Sequence, residues 1–292
     1  SLCDIRTVLP LRENASVYTG GHRSRDQPCV CWGGRHQSAC GGSGIRQLRE
    51  QGILVTEGVL QEECEYQNRV FFHYIQTKLP YVRMKYAMTL DGKIASASGK
   101  SQWITGEAAR EQVHRMRHEM TGIMVGAGTV IADDPMLNCR LPEGHSPVRI
   151  ICDTSLRTPA DSLVVTTAKE IPTILATCCT DKEKQKVFTD KGCKILEVSE
   201  TYDKNGKKQL DLQDLCKQLG EQKIDSVLLE GGAALNGSAL QAGIVSCVQT
   251  YIAPKILAGR KQNHRSAEAV SSWHVRHMDL KSKKSAGLAK TF

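Results

Sequence analysis

Between residues 80 and 257, apolar runs of strand length alternate with helical stretches, and this alternation limits the fold more than any other feature. The chain reads as strands at 82–90, 122–128, 148–153, 162–167, 173–178, 194–198, 225–230 and 247–257, with helices at 105–120, 182–192, 212–222 and 233–240. Two parallel strands need a crossover between them, so strands interleaved with helices predict an α/β domain of about 180 residues whose sheet is largely parallel. The 105–120 helix has Thr105 as its N-cap, Glu107 and Glu111 early, and Arg115, Arg117 and His118 late, as the helix dipole favours. Before it, from Ile45, the pattern gives a helix stopped by Gly52, a short strand at 53–59 and a second helix through Phe72. The stretch 201–209, TYDKNGKKQ, reads as a surface loop.

Charge divides the chain differently. The net charge is +8, of which residues 1–44 carry +2 and residues 260–292 carry +6, leaving the long middle neutral. Five of the nine histidines and two of the three tryptophans, Trp32 and Trp273, also lie in these ends. A neutral middle without interleaved aromatics argues against a nucleic-acid-binding protein. No apolar run approaches the roughly 20 residues that span a bilayer, and the opening residues do not read as a secretory signal. A soluble, cytoplasmic protein without membrane or nucleic-acid partners is expected. Most of the twelve cysteines stand singly in apolar stretches, as Cys152 and Cys216 do, which favours reduced, packed thiols.

Open α/β sheets bind ligands beyond the carboxyl ends of their strands, so the residues that follow each strand are the ones to inspect. Here they are Ala87–Gly92, Gly126–Thr129 with Asp133-Asp134-Pro135, Asp153-Thr154, and Glu230-Gly231-Gly232. Any one of them could be only a turn. Four of them on one sheet point to a site.

The segments MKYAMTLDGKIASASGKSQWIT, VGAGTVIADDPMLNCR, LLEGGAALNGSAL and YIAPKILAG, in this order and spacing, resemble the reductase domain of the bifunctional riboflavin-biosynthesis deaminase/reductase family, RibD. The resemblance covers about residues 80–260. It implies a dihydrofolate-reductase-like fold, a homodimer, and reduction of the ribosyl group of 5-amino-6-(5-phosphoribosylamino)uracil to a ribityl chain with NADPH as cofactor. Such a reaction depends on positioning and charge complementarity more than on a nucleophile.

The family's contacts carry over residue by residue. Arg117 and Arg140 match its substrate arginines and suit a bidentate grip on phosphate. Glu230 matches its substrate carboxylate, and Ser101 and Leu137 fall on the substrate side. Ala87, Trp103, Thr105, Thr129, Asp133, Thr154, Gly231, Gly232, Ala233, Ala234, Leu235, Asn236, Gly237 and Ser238 fall where the family holds NADPH, although Trp103 could equally belong to the core. Without side chains, the amides of Gly231 and Gly232 can approach a pyrophosphate closely at the start of the 233–240 helix. The proton that accompanies hydride transfer has three candidate sources: Glu230, Asp133 and water.

Both ends depart from the family. Residues 1–79 read as a remnant of the zinc deaminase domain and its linker, but the chain has no His-Ala-Glu motif and no matching Cys pair, so neither deamination nor a bound metal is expected. Cys29, Cys31, Cys40, His22 and His36 invite a zinc reading, yet their spacing is poor for one. A one-nucleotide shift of frame over Cys29–Gly42, with suitable third bases, permits VCVGVADTNPLVAG, which is like the family segment that belongs there. The same operation on DLKSKKSAG permits PEIEEIG, so the 261–292 basic tail reads as atypical in the same way. An inactive remnant and another dihydrofolate-reductase-like reductase are the competing readings.

Overall fold

Two units make up the chain, Ser1–Thr77 and Lys78–Phe292, and the computed structural model describes residues 29–31, 43–93, 106–203, 206–256 and 275–279. In the first unit, β1 (Cys29–Cys31) is followed by α1 (Ser43–Glu50) and pairs in parallel with β2 (Val55–Glu57). Two helices follow, α2 (Gln61–Gln67) and α3 (Arg69–Thr77), where the sequence predicted one. Asn68 separates them at φ −97° and ψ 16°; its backbone N–H still makes the helical bond to the Cys64 carbonyl, and its side-chain amide donates to the same oxygen in competition with it.

The second unit begins with β3 (Tyr81–Thr89), α4 (Glu107–Glu119), β4 (Gly122–Gly126), α5 (Ala127–Asp133), β5 (Val148–Cys152), α6 (Leu163–Thr166), β6 (Thr173–Thr177), α7 (Lys182–Thr189) and β7 (Lys194–Glu197). It continues through β8 (Glu200–Tyr202), β9 (Lys208–Leu210), α8 (Leu212–Glu221), β10 (Ser226–Leu229), α9 (Ala233–Gln241), β11 (Val245–Ala253) and β12 (Val275–Asp279). Eight of these strands form one sheet in the order β12-β11-β3-β10-β4-β5-β6-β7. Every pairing is parallel except that of β12 with β11. The expected largely parallel sheet flanked by helices is therefore present.

Alternate residues along each strand face opposite layers. Val82, Met84, Met124, Ile150, Val227 and Leu229 pack with Leu215 and Leu219 of α8 and Ala239 of α9. On the opposite face, Ile123, Val125 and Ile151 meet Val164 and Val165 of α6 and Phe188 of α7, while Leu228 and Tyr251 meet Ala109 and Met116 of α4. With both faces covered, the strands read as unbroken apolar runs.

Four sequence expectations are corrected. The 162–167 segment is helix α6 rather than a strand, because β5 and β6 are parallel neighbours and the chain between them must cross over the sheet. The 201–209 loop is the β8–β9 hairpin; its Asn-Gly dipeptide is the turn signal, and Gly206 has φ +74°. The glycines after β4 open a helix, α5. Within the tail, β12 adds an antiparallel edge strand, running from Cys247↔Asp279 to Tyr251↔Val275. Gly106 stands at the N-cap of α4, and Thr105 lies outside the described residues.

One buried arginine shapes the region next to the site. Arg149 of β5 is fully buried with no described carboxylate hydrogen-bonded to it, and donates to Thr173 Oγ1, Thr167 Oγ1 and the carbonyls of Ile171 and Met136. Burial pushes its pKa down to about 10, which leaves it charged at neutral pH. Its bond to Met136 fastens the loop after α5 to the sheet.

Gly220 tests this packing. It lies inside α8, where alanine would normally be favoured by about 1 kcal/mol, yet a Cβ there would stand 2.0 Å from the Lys78 carbonyl oxygen. Overpacking against backbone outweighs propensity, so Gly220→Ala should lower the unfolding free energy by about 2 kcal/mol in urea denaturation. An unchanged or raised midpoint would contradict the close approach.

Candidate active site

β10 and β4 run side by side, and the Glu230 amide continues their pairing by donating to the Met124 carbonyl at 3.0 Å. Glu230 therefore stands at the carboxyl ends of two central parallel strands. The glycines behind it serve different ends. A Cβ on Gly231 would lie 2.6 Å from Val125 Cα and 3.0 Å from the Gly126 nitrogen, so strand β4 excludes a side chain there. The sequence reading left room there for a ligand; the packing of β4 by itself already requires glycine. Gly232 has φ +69° and turns the chain into α9. No side chain caps α9, whereas Asp181 and Asp211 cap α7 and α8. Ala233 and Ala234 leave its first turn exposed.

Glu230 is paired by α4, the helix that also packs on Leu228 two residues earlier. Arg117, in the last turn of α4, donates from Nε to Oε1 at 2.7 Å and from Nη2 to Oε2 at 2.9 Å. Its Nη1 donates to the Asn138 carbonyl at 2.9 Å. The two side chains are only 13% and 10% exposed, so this bidentate bond forms in a poorly hydrated place. Burial alone would raise the Glu230 pKa, but the Arg117 charge and hydrogen bonds outweigh it and hold the carboxyl below its usual range, helped by Lys85 and His114. Burial likewise opposes the Arg117 charge, and Glu230 overcomes it. Glu230 is thus held as an anion at neutral pH.

Arg140 lies nearby in a different state. Its Nε is 3.0 Å from His114 Nε2 and its backbone nitrogen 3.3 Å from His114 Nδ1. No described residue is bonded to its Nη groups. Each Arg117 nitrogen thus has one partner within the protein, whereas the Nη edge of Arg140 has none among the described residues. Sequence reasoning missed His114 and Lys85. Lys85 shares the β3 face of Ala87 and stood out as a charge within VRMKYAM; His114 is one helical turn before Arg117.

The remaining predicted residues divide. Ala87, near the end of β3, packs on the cluster beneath α4. Thr129 and Asp133 lie on α5, the first half-buried and the second exposed. Thr154 follows β5 and accepts from the Cys178 amide at 3.2 Å, beside Asp153, which Thr158 binds. The side chain of Leu137 is 3% exposed and belongs to the core with Ile123 and Val130. The Ser238 hydroxyl donates to Gln209 Oε1 at 3.1 Å. Leu235 packs against the core, Gly237 has open space around it, and Asn236 Oδ1 is buried without a partner among the described residues. Ser101, Trp103 and Thr105, like His22, His36 and Cys40, lie outside the described residues. Among the described residues, no cluster of His, Cys, Asp and Glu could hold a metal, and no helix is long and apolar enough to cross a membrane.

A carboxylate, an open arginine and an uncapped helix thus meet at the carboxyl ends of the central strands, and the model of the RibD C-terminal domain matches residues 80–287, which contain all three. The chain belongs to the RibD C-terminal domain family. The match runs beyond residue 260 and takes in β12. The riboflavin biosynthesis protein RibD of Actinobacillus pleuropneumoniae is 54% identical over 220 residues, 75% of this chain and 57% of that protein. That of Bacillus amyloliquefaciens is 38% identical over 219 residues, again 75% and 57%. The chain therefore spans somewhat more than half the length of these relatives. Among solved structures, a Thermotoga maritima diaminohydroxyphosphoribosylaminopyrimidine deaminase/5-amino-6-(5-phosphoribosylamino)uracil reductase aligns with a TM-score of 0.66 at 33% identity, over 80% of this chain and 61% of that one. The RibD domain of this chain has the dihydrofolate-reductase-like fold that the sequence resemblance implied.

The ion pair sets a pH dependence. Because the folded pKa of Glu230 is depressed, the stability it contributes is present above the unfolded value of about 4.3 and is lost as pH falls through the folded pKa. Glu230→Gln should cost about 3 kcal/mol at pH 7, by leaving Arg117 buried without its counter-charge. Urea denaturation should show this deficit shrinking between pH 5 and pH 3. A deficit constant over that range would mean that the carboxylate is not paired.

Proposed function

We propose that this chain reduces the ribosyl group of 5-amino-6-(5-phosphoribosylamino)uracil to the ribitylamino product with NADPH. One observation carries the reading: in a member of the RibD C-terminal domain family, the ionised Glu230 and the open edge of Arg140 flank the ends of β4 and β10. The Thermotoga relative bears the name of this reductase.

The residues present fit the cofactor. The uncapped α9 start, opened by Gly232, suits a phosphate, and the buried Asn236 Oδ1 is an acceptor in need of a donor. Ala87, Thr129, Asp133 and Thr154 continue that site along the strand ends. NADPH supplies the hydride when bound. Glu230 accepts hydrogen bonds from ribose hydroxyls or the pyrimidine amine, fixed in place by Arg117, while Arg140 binds the phosphate and Lys85 balances the carboxylate. With Glu230 ionised, the accompanying proton comes from water. We assign no deaminase step to the chain.

NADPH oxidation by the purified chain should depend on this substrate, and mass spectrometry should show the ribityl product. Gly232→Val should raise the NADPH Kd at least tenfold, about 1.4 kcal/mol, since it forces a side chain onto a left-handed turn 3.3 Å from Thr129 Oγ1. Arg140→Ala should raise KM for the phosphorylated substrate and leave that for its dephosphorylated form nearly unchanged. Folded protein that never oxidises NADPH with this substrate would overturn the reading.

A further inference from the structure

Arg140 follows α5 on a loop, where a long side chain has many rotamers to choose from, and one neighbour selects among them. His114 of α4 is 9% exposed and places Nε2 3.0 Å from Arg140 Nε, while its Nδ1 is 3.3 Å from the Arg140 backbone nitrogen. A neutral imidazole has one lone pair to offer, and an imidazolium has none. The better contact is the side-chain one, which makes Nε2 the acceptor and puts the proton on Nδ1. Arg140 then has its Nε–H engaged on the protein side, and its two Nη groups form a planar edge facing away.

Resting on the substrate assignment above, we propose that neutral His114 is a positioning residue that aims the Nη edge of Arg140 at the phosphate of the substrate, and that protonation of His114 releases it. The surroundings oppose protonation. Burial acts first, then the charges of Arg117 on the same helix and of Arg140, against which Glu230 acts in the other direction, so the pKa of His114 lies below its ordinary value. A hydrogen bond to the Asn138 backbone also favours the protonated ring, while Cys139 Sγ, 3.4 Å from the His114 carbonyl, meets the backbone of that turn. Protonation would both remove the acceptor and set a third cation beside the two arginines. Neutral His114 therefore prevails at physiological pH, and grip on the phosphate weakens only in acid.

Three chains decide the matter: wild type, His114→Ala and His114→Gln, each assayed for KM, kcat and the Kd of ribose 5-phosphate from pH 5 to pH 8. Loss of one charge-assisted bond predicts that His114→Ala raises KM and the ribose 5-phosphate Kd about tenfold at pH 8, with kcat and NADPH affinity nearly constant. Gln offers an acceptor that does not titrate, so His114→Gln should keep wild-type KM at pH 8. Because the phosphate itself titrates near pH 6, both chains should weaken in acid, but the wild type more steeply. Wild-type KM in the Ala variant, or superimposed acid limbs for wild type and Gln, would overturn the proposal. Should His114→Ala not fold, the Gln and wild-type acid limbs decide alone. A wild type that binds ribose 5-phosphate with this pattern but turns over no substrate would leave the positioning role standing and remove the reductase reading.

Discussion

Arg117 and Glu230 are 113 residues apart in sequence and meet through two hydrogen bonds of 2.7 and 2.9 Å. Neither charge could be so little exposed without the other. Their pairing ties the last turn of α4 to the carboxyl end of β10, and the third nitrogen of Arg117 fastens the Asn138 carbonyl as well. A helix, a strand end and the loop that leads to Arg140 are thus referred to one another by a single guanidinium. The loop has a second fastening further back, where the buried Arg149 donates to the Met136 carbonyl. Between these two arginines, residues 136–138 are held at both ends.

The sheet explains why these groups converge. Because β3, β10, β4 and β5 are parallel, their carboxyl ends line one rim, and the residues following them, Glu230 among them, share it. Gly231 lets the chain pass within 2.6 Å of Val125 as it leaves that rim, and Gly232 turns it into α9. The helix start is then exposed beside the carboxylate. A polar rim of this kind leaves the apolar faces to α8 and α9 on one side and to α4, α6 and α7 on the other, so core and site do not compete for the same residues.

Much of this was legible in the sequence, and what was missed shares a cause. Strand and helix periodicity placed β3, β4, β5, β6, β7, β10 and β11, since parallel buried strands leave long apolar runs. It failed at 162–167, where two adjacent valines, Val164 and Val165, are buried by a helix turn that covers the sheet. It also failed at the β8–β9 hairpin, although Asn205-Gly206 announced a turn. Position after a strand was enough to single out Glu230 and the loop that carries Arg140. Partnership was not visible: nothing local to Arg117 says that its donors belong to Glu230 rather than to a phosphate, or that His114 faces Arg140. The separate purposes of Gly231 and Gly232 also required coordinates, because a close approach by β4 and a left-handed turn leave the same letter.

The central claim is that Arg117 and Glu230 act as one unit, and a double-mutant cycle measures it directly. Unfolding free energies of wild type, Arg117→Met, Glu230→Gln and the double variant at pH 7 isolate the coupling between the two side chains. The account predicts a coupling of about 2 kcal/mol or more, with the double variant no less stable than either single one, since removing both charges leaves neither buried alone. Additive losses, with coupling near zero, would contradict it.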